Sequence, residues 1–173
     1  MTFFTRAATT ALAGCVIFGF ASAAFAHHVP HQPFVAEETK LLLNTVKATG
    51  HQVHVDKGPC LEGNAMMGFA ANNGLLVICA KNHGNDVDEL ADTVRHEAFH
   101  LAQFCKARKK GATGALIMPD VIEQSRSLAL TLHMPVNAYP VHQRDMEAEA
   151  RAAAHVLDEV EIAALLVKEC GVK

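Results

Sequence analysis

With 173 residues, half of them apolar, and a net charge of −3, the chain has material for one domain with a real core. That mild acidity, without a long basic run, argues against nucleic acid as a partner. The basic cluster from Lys106 to Lys110 reads instead as the charged end of a helix.

Residues 1–26 read as a secretory signal. Arg6 is their one charge, an apolar stretch runs from Ala7 to Phe25, and Ala24-Phe25-Ala26 predicts cleavage before His27. Leu12-Ala13-Gly14-Cys15 resembles a lipobox, but lipoprotein processing would leave the apolar tail Val16 to Ala26 on the mature chain. A retained anchor fits less well, because Ala, Gly, Ser and Thr make the stretch weakly apolar for a span. Export, periplasmic or secreted, is therefore expected, with no stable membrane insertion after signal removal.

Residues 27–34 form a His- and Pro-rich arm, expected to be solvated. The domain then runs over 35–173. From Val35 to Thr49, Leu41, Leu42 and Val46 recur at helical spacing, and Gly50 ends the pattern. His51-Gln52-Val53-His54-Val55 alternates as a strand does, and its two histidines, His51 and His54, are read as solvated. Met66 to Ala70 and Leu75 to Ala80 flank Asn72-Asn73-Gly74, a hairpin signal because Asn and Gly tolerate positive φ. Four cysteines remain after cleavage, and an even count in an exported chain predicts two disulfides. Three pairings are open. Cys60 and Cys79 bracket the hairpin, and Cys60–Cys79 with Cys105–Cys170 is the favoured set.

Asn85-Asp86 followed by Glu89 signals a helix start near Val87, and the helix is expected to reach about Lys109, before Gly111. Val87, Leu90, Val94, Ala98, Leu101 and Cys105 make its core stripe, with His96, His100 and Gln103 on another face. A second helix is expected from Asp120 to about His133. Pro135 and Pro140 then bound a short segment with Tyr139, and one alanine-rich helix is expected from Gln143 to Glu169. The fold class is α+β: a single domain, mostly helical, with a small N-terminal antiparallel sheet or hairpin beside the helix that begins at Val87.

The chemistry concentrates in His96-Glu97-Ala98-Phe99-His100. Histidines at i and i+4 share a helical face and can bind one metal ion, while the glutamate after the first can reach a water on that ion. A catalytic zinc takes three protein ligands, so a third is required. Position 106 is Lys and 103 is Gln, which excludes the subclass with a histidine six residues downstream. On the final helix, Glu147 shares a stripe with Arg151, Asp158 and Glu161, read as solvated. Glu149 shares one with Ala153, Val156, Val160 and Val167, read as buried. A carboxylate in an apolar stripe needs a partner, so Glu149 is the expected ligand and Glu147 the fallback.

His96-Glu97-Ala98-Phe99-His100-Leu101-Ala102-Gln103, with Glu147-Ala148-Glu149-Ala150-Arg151-Ala152-Ala153-Ala154 downstream, resembles the gluzincin side of the zincin peptidases. The second block is similar to the E-x-E-A-x-x-F-A pattern of the ImmA/IrrE-type metallopeptidases, with Ala153 in place of the aromatic. That resemblance implies a zincin-like fold and one zinc ion on His96, His100 and Glu149. It also implies Glu97 as catalytic base and hydrolysis of a peptide or protein substrate. In zincins a strand near Leu75–Ile78 often walls the cleft, where extended substrate adds as a strand. Tyr139 and His142, with His133 behind them, are the candidate donors to the oxyanion, and Gln103 is a candidate for orienting a ligand. The alternative is a non-catalytic zinc-binding or envelope interaction protein with the same fold.

Overall fold

The computed structural model describes residues 36–61, 66–131 and 136–173. The expected signal, the arm over 27–34 and His133 lie outside the described residues. The architecture is a mostly helical α+β domain with a small N-terminal three-stranded mixed sheet. Helix α1 spans Glu37–Ala48 and leads through a turn into β1, Gln52–Val55. Strands β2, Gly68–Ala71, and β3, Leu75–Ile78, form the expected antiparallel hairpin, with Gly74 at φ 88° in its turn. β1 adds to the other side of β3 in parallel, giving the order β1-β3-β2. The central strand is therefore β3, and the free edge beside the hairpin belongs to β2.

Helix α2, Val87–Lys109, begins where Asp86 accepts a hydrogen bond from the Glu89 amide at 2.9 Å and ends among Lys106, Arg108 and Lys109. Helix α3 covers Ile122–Thr131. The long C-terminal helix expected from the alanine content is two helices, α4 over Arg144–Val156 and α5 over Glu159–Cys170. Leu157 takes an extended conformation, and Asp158 starts α5 with a full capping box: its carboxylate accepts from the Glu161 amide, and Glu161 accepts from the Asp158 amide. This local capping outcompetes continued helix, and it breaks the stripes drawn across residues 147–167. Val156, Val160 and Val167, expected inside, are exposed. His51 departs in the other direction. It precedes β1 and is buried rather than solvated.

α2 packs against α4, α5, α1 and the sheet, so one helix forms the spine. The core gathers Leu42 and Val46 of α1, Leu76 and Ile78 of β3, Val94, Phe99 and Leu101 of α2, and Ile162 and Leu166 of α5. Both favoured disulfides are present. Cys60–Cys79 staples the segment before the hairpin to the end of β3, and Cys105–Cys170 ties α2 to the end of α5. Such bridges point to an oxidising compartment. Among the described residues no helix is long and apolar enough to cross a membrane.

Replacing Asp158 by Ala removes the cap that divides α4 from α5. Urea unfolding under non-reducing conditions should show a loss of about 1 kcal/mol, as a lower midpoint at constant slope. An unchanged midpoint would contradict the capping account of the break.

Candidate metal centre

The one-turn spacing of His96 and His100 sets their rings edge to face, 4.7 Å apart, on the side of α2 that meets α4. Ala150 and Ala153 on α4 are buried and small, which lets α4 come close to α2. Glu147 of α4 then reaches both rings. Its Oε1 lies 3.4 Å from His96 Nε2, and its Oε2 lies 3.2 Å from His100 Nε2. Glu97 closes the group, with Oε1 4.0 Å from His96 Nε2. His96, Glu97 and His100 can each direct a ligand atom at one point.

Glu149 is not at this point. It is fully buried, but its carboxylate accepts from the backbone amides of Ile117, at 2.9 Å, and Met118, and from Gln103 Nε2 at 2.7 Å. Two residues along a helix is a turn of about 200°, so Glu147 and Glu149 face different neighbours. The stripe argument correctly buried Glu149 but placed Glu147 in solvent, whereas Glu147 is 4% exposed and beside the histidines.

Glu149 acts on the histidines through Gln103. The Gln103 amide nitrogen donates to Glu149 and to the Met146 carbonyl at 3.0 Å, so its oxygen must face His100 Nδ1, 2.7 Å away. His100 Nδ1 therefore carries a proton, and Nε2 is the atom turned to Glu147. This is the arrangement that fixes the tautomer of a metal-ligating histidine. The His96 ring has a backbone hydrogen bond to Ala150. Asp92, one turn before His96, engages Arg95 instead, and Arg95 continues to Glu159 and the Ala154 carbonyl.

Burial, then the charge of His100, pushes the His96 pKa down to about 3, so this ring is neutral. Burial pushes Glu97 up to about 7, against the pull of His100, with Glu147 adding to the rise. Burial opposes both remaining shifts. Hydrogen bonding to Glu147, with the charge of Glu97, nonetheless raises His100. The bond from His100, with the positive charges around it, holds Glu147 down at about 2.

Arg151 is the functional neighbour that sequence reasoning missed, having been assigned to a solvated stripe with Glu147. The i,i+4 spacing of the pair was its available signal. Arg151 Nε lies 2.6 Å from Glu147 Oε1, yet its N–H is not aligned on that oxygen, and both atoms are buried without a hydrogen bond. The Glu147 carboxylate, beside two imidazole nitrogens, makes a donor set whose chemistry suits a cation. Tyr139 is brought near: its hydroxyl accepts from Arg151 at 3.2 Å, and Glu147 also interacts with it. His142 is exposed on the turn Val141–Gln143, and among the described residues no hydrogen bond or ion pair joins it to this group.

β2 lies over the other side. The Ala70 amide bonds Glu97, and a Cβ on Gly68 would fall 3.1 Å from Glu97 Cγ and 2.9 Å from Thr93 Cγ2, so glycine permits the strand to come this close. The expected cleft wall, Leu75–Ile78, has β1 on one side and β2 on the other and presents no edge. The edge at the site is that of β2.

Fold and geometry together define a mostly helical α+β domain with a buried His–Glu–His group suited to a metal ion. The chain belongs to the family described as Domain of unknown function (DUF8637), which matches residues 32–170. No curated protein and no solved structure matches it.

Replacing Glu149 by Ala strands two backbone amides and Gln103 in the interior. Denaturant unfolding in chelator should register a loss of roughly 3–5 kcal/mol. A loss below about 1 kcal/mol would contradict this bonding scheme.

Proposed function

We propose that the chain is a zinc-dependent peptidase in which His96, His100 and Glu147 hold one ion and Glu97 is the general base. The observation that carries this reading is the convergence of both Nε2 atoms on the two oxygens of Glu147, with Glu97 beside them. Two imidazoles, His96 neutral and His100 made so when an ion replaces its Nε2 proton, and one carboxylate are a ligand set that zinc accepts with a position left open. Bound there, zinc would supply an acidified water and a polarised carbonyl.

The remaining work falls to side chains. Glu97, beside the point on which the histidines converge, would accept the proton of the attacking water and deliver it to the leaving amine. Arg151 and the Tyr139 hydroxyl are the donors nearest the group and would stabilise negative charge on the substrate oxygen. Gln103 and Glu149 would keep His100 oriented. β2 favours an extended peptide as substrate. Met67 pairs with Cys79, and Ala71 receives the Gly74 amide, so in an antiparallel ladder the intervening Gly68 and Ala70 turn their main chain outward. A substrate strand could add along that edge above Glu97.

Zinc titration after chelation separates the two glutamates. The native chain and Glu149→Gln should bind about one zinc, the variant more weakly by roughly 10- to 100-fold. Glu147→Gln should bind substoichiometrically. Retention of tight zinc by Glu147→Gln, or its loss only in Glu149→Gln, would contradict the assignment.

Hydrolysis of an unfolded protein substrate by the zinc-loaded mature chain tests catalysis. Glu97→Gln should keep the ion while losing roughly 10²- to 10⁴-fold in rate. Hydrolysis undiminished in that variant would remove the base, and no hydrolysis by the loaded native chain would favour a non-catalytic zinc protein.

A further inference from the structure

The far end of α2 carries a second cluster that the metal reading does not use. The Cys105–Cys170 disulfide opens on a pocket of about 200 Å³, walled by His51, Arg108, Lys109, Glu169 and Lys173. Cys105 is buried and Cys170 is partly exposed, so the two sulfurs are not equivalent to an incoming reagent.

Arg108 is placed to receive negative charge on Cys105, and His51 to take a proton from it. Arg108 donates to Cys105 Sγ at 3.1 Å and also lies 3.3 Å from His51 Nε2. His51 Nε2 is 3.6 Å from the same sulfur. The Thr49 hydroxyl spends its one proton on the Val46 carbonyl at 2.8 Å, so at its 2.9 Å contact with His51 Nδ1 the ring must be the donor. Nδ1 therefore holds the proton, and Nε2 presents its lone pair to Arg108 and the sulfur. Lys173 lies across Gly50, where a Cβ would meet its side chain at 2.4 Å, and its ammonium borders the same pocket. Burial, Arg108 and Lys173 lower the His51 pKa, which agrees with a neutral ring in a positive field. Lys109 is 3.9 Å from Glu169, which offsets part of that acidic charge. Cys60–Cys79 differs: among the described residues no Arg, Lys or His side chain bonds its sulfurs.

We infer that Cys105–Cys170 is an exchangeable disulfide and that its pocket takes a small anionic thiol. The incoming thiolate forms a bond to the Cys170 sulfur, and the bond between the two cysteines breaks. Its electron pair leaves on Cys105, whose thiolate is met by the Arg108 guanidinium. The proton of the incoming thiol goes to solvent, and His51 Nε2 is placed to take the proton of Cys105 whenever that thiol is protonated. One disulfide and one thiolate are consumed and one of each is formed, so no further oxidant or reductant is needed. Attack by Cys105 on the mixed disulfide reverses the step.

The test treats the folded mature chain near neutral pH with either 3-mercaptopropionate or the neutral 2-mercaptoethanol, followed by acid quench, alkylation and mass mapping. The expected result is opening of Cys105–Cys170 before Cys60–Cys79, with the adduct on Cys170 and the alkyl group on Cys105. The preference for this bridge over Cys60–Cys79 should be greater with 3-mercaptopropionate. Arg108 is exposed, and Arg108→Gln should slow the reaction roughly three- to tenfold. Opening of both bridges at one rate, an adduct on Cys105, equal preference for the two thiols, or an unchanged rate in Arg108→Gln would each overturn the inference.

Discussion

A carboxylate placed between two imidazoles in the seam of α2 and α4 is the constraint around which the structure is organised. Burying Glu147 is costly unless positive charge or donors surround it. His100 and Arg151 do so, with the neutral His96 ring beside them, and all three are fixed by helical spacing: i and i+4 on α2, and i+4 from Glu147 on α4. The close approach this requires is supplied by small alanines on α4. Aligned hydrogen bonds do not satisfy every member, since Glu147 Oε1 and Arg151 Nε remain without one.

Around that seam the remaining polar groups form a support rather than a second site. Glu149 receives the backbone of the 111–118 loop on one side and Gln103 on the other, and Gln103 sets the His100 ring. The loop between α2 and α3 is thereby coupled to the orientation of a histidine it does not touch. β2 plays the corresponding part opposite, where Gly68 lets the sheet edge sit directly over Glu97. The proposed zinc and base chemistry thus draws on three elements far apart in sequence, all of them referred to α2.

Local signals made much of this legible in the sequence. Asp86 and Glu89 announced α2, Asn72-Asn73-Gly74 the hairpin, and the i,i+4 histidines the face of the candidate metal group, because each depends on neighbours a few residues away. The choice between Glu147 and Glu149 did not. In α4 the charged side that carries Glu147 and Arg151 turns to the histidines instead of to solvent, so amphipathic periodicity points away from the face that meets the site. Reading α4 and α5 as one helix then lent false weight to Val156, Val160 and Val167. The capping box at Asp158 was present in the residues, but alanine-rich helix propensity on both sides concealed it. The order β1-β3-β2 depends on a crossover that hydrophobic alternation does not encode, so β3 was credited with an edge that β2 holds.

A crystal structure of the zinc-soaked chain over residues 27–173, with data collected across the zinc absorption edge, tests the central claim most directly. The account predicts one strong anomalous peak about 2 Å from His96 Nε2, His100 Nε2 and a Glu147 oxygen, with Glu149 still bonded to Gln103. A peak on Glu149, or none between the two histidines, would contradict it.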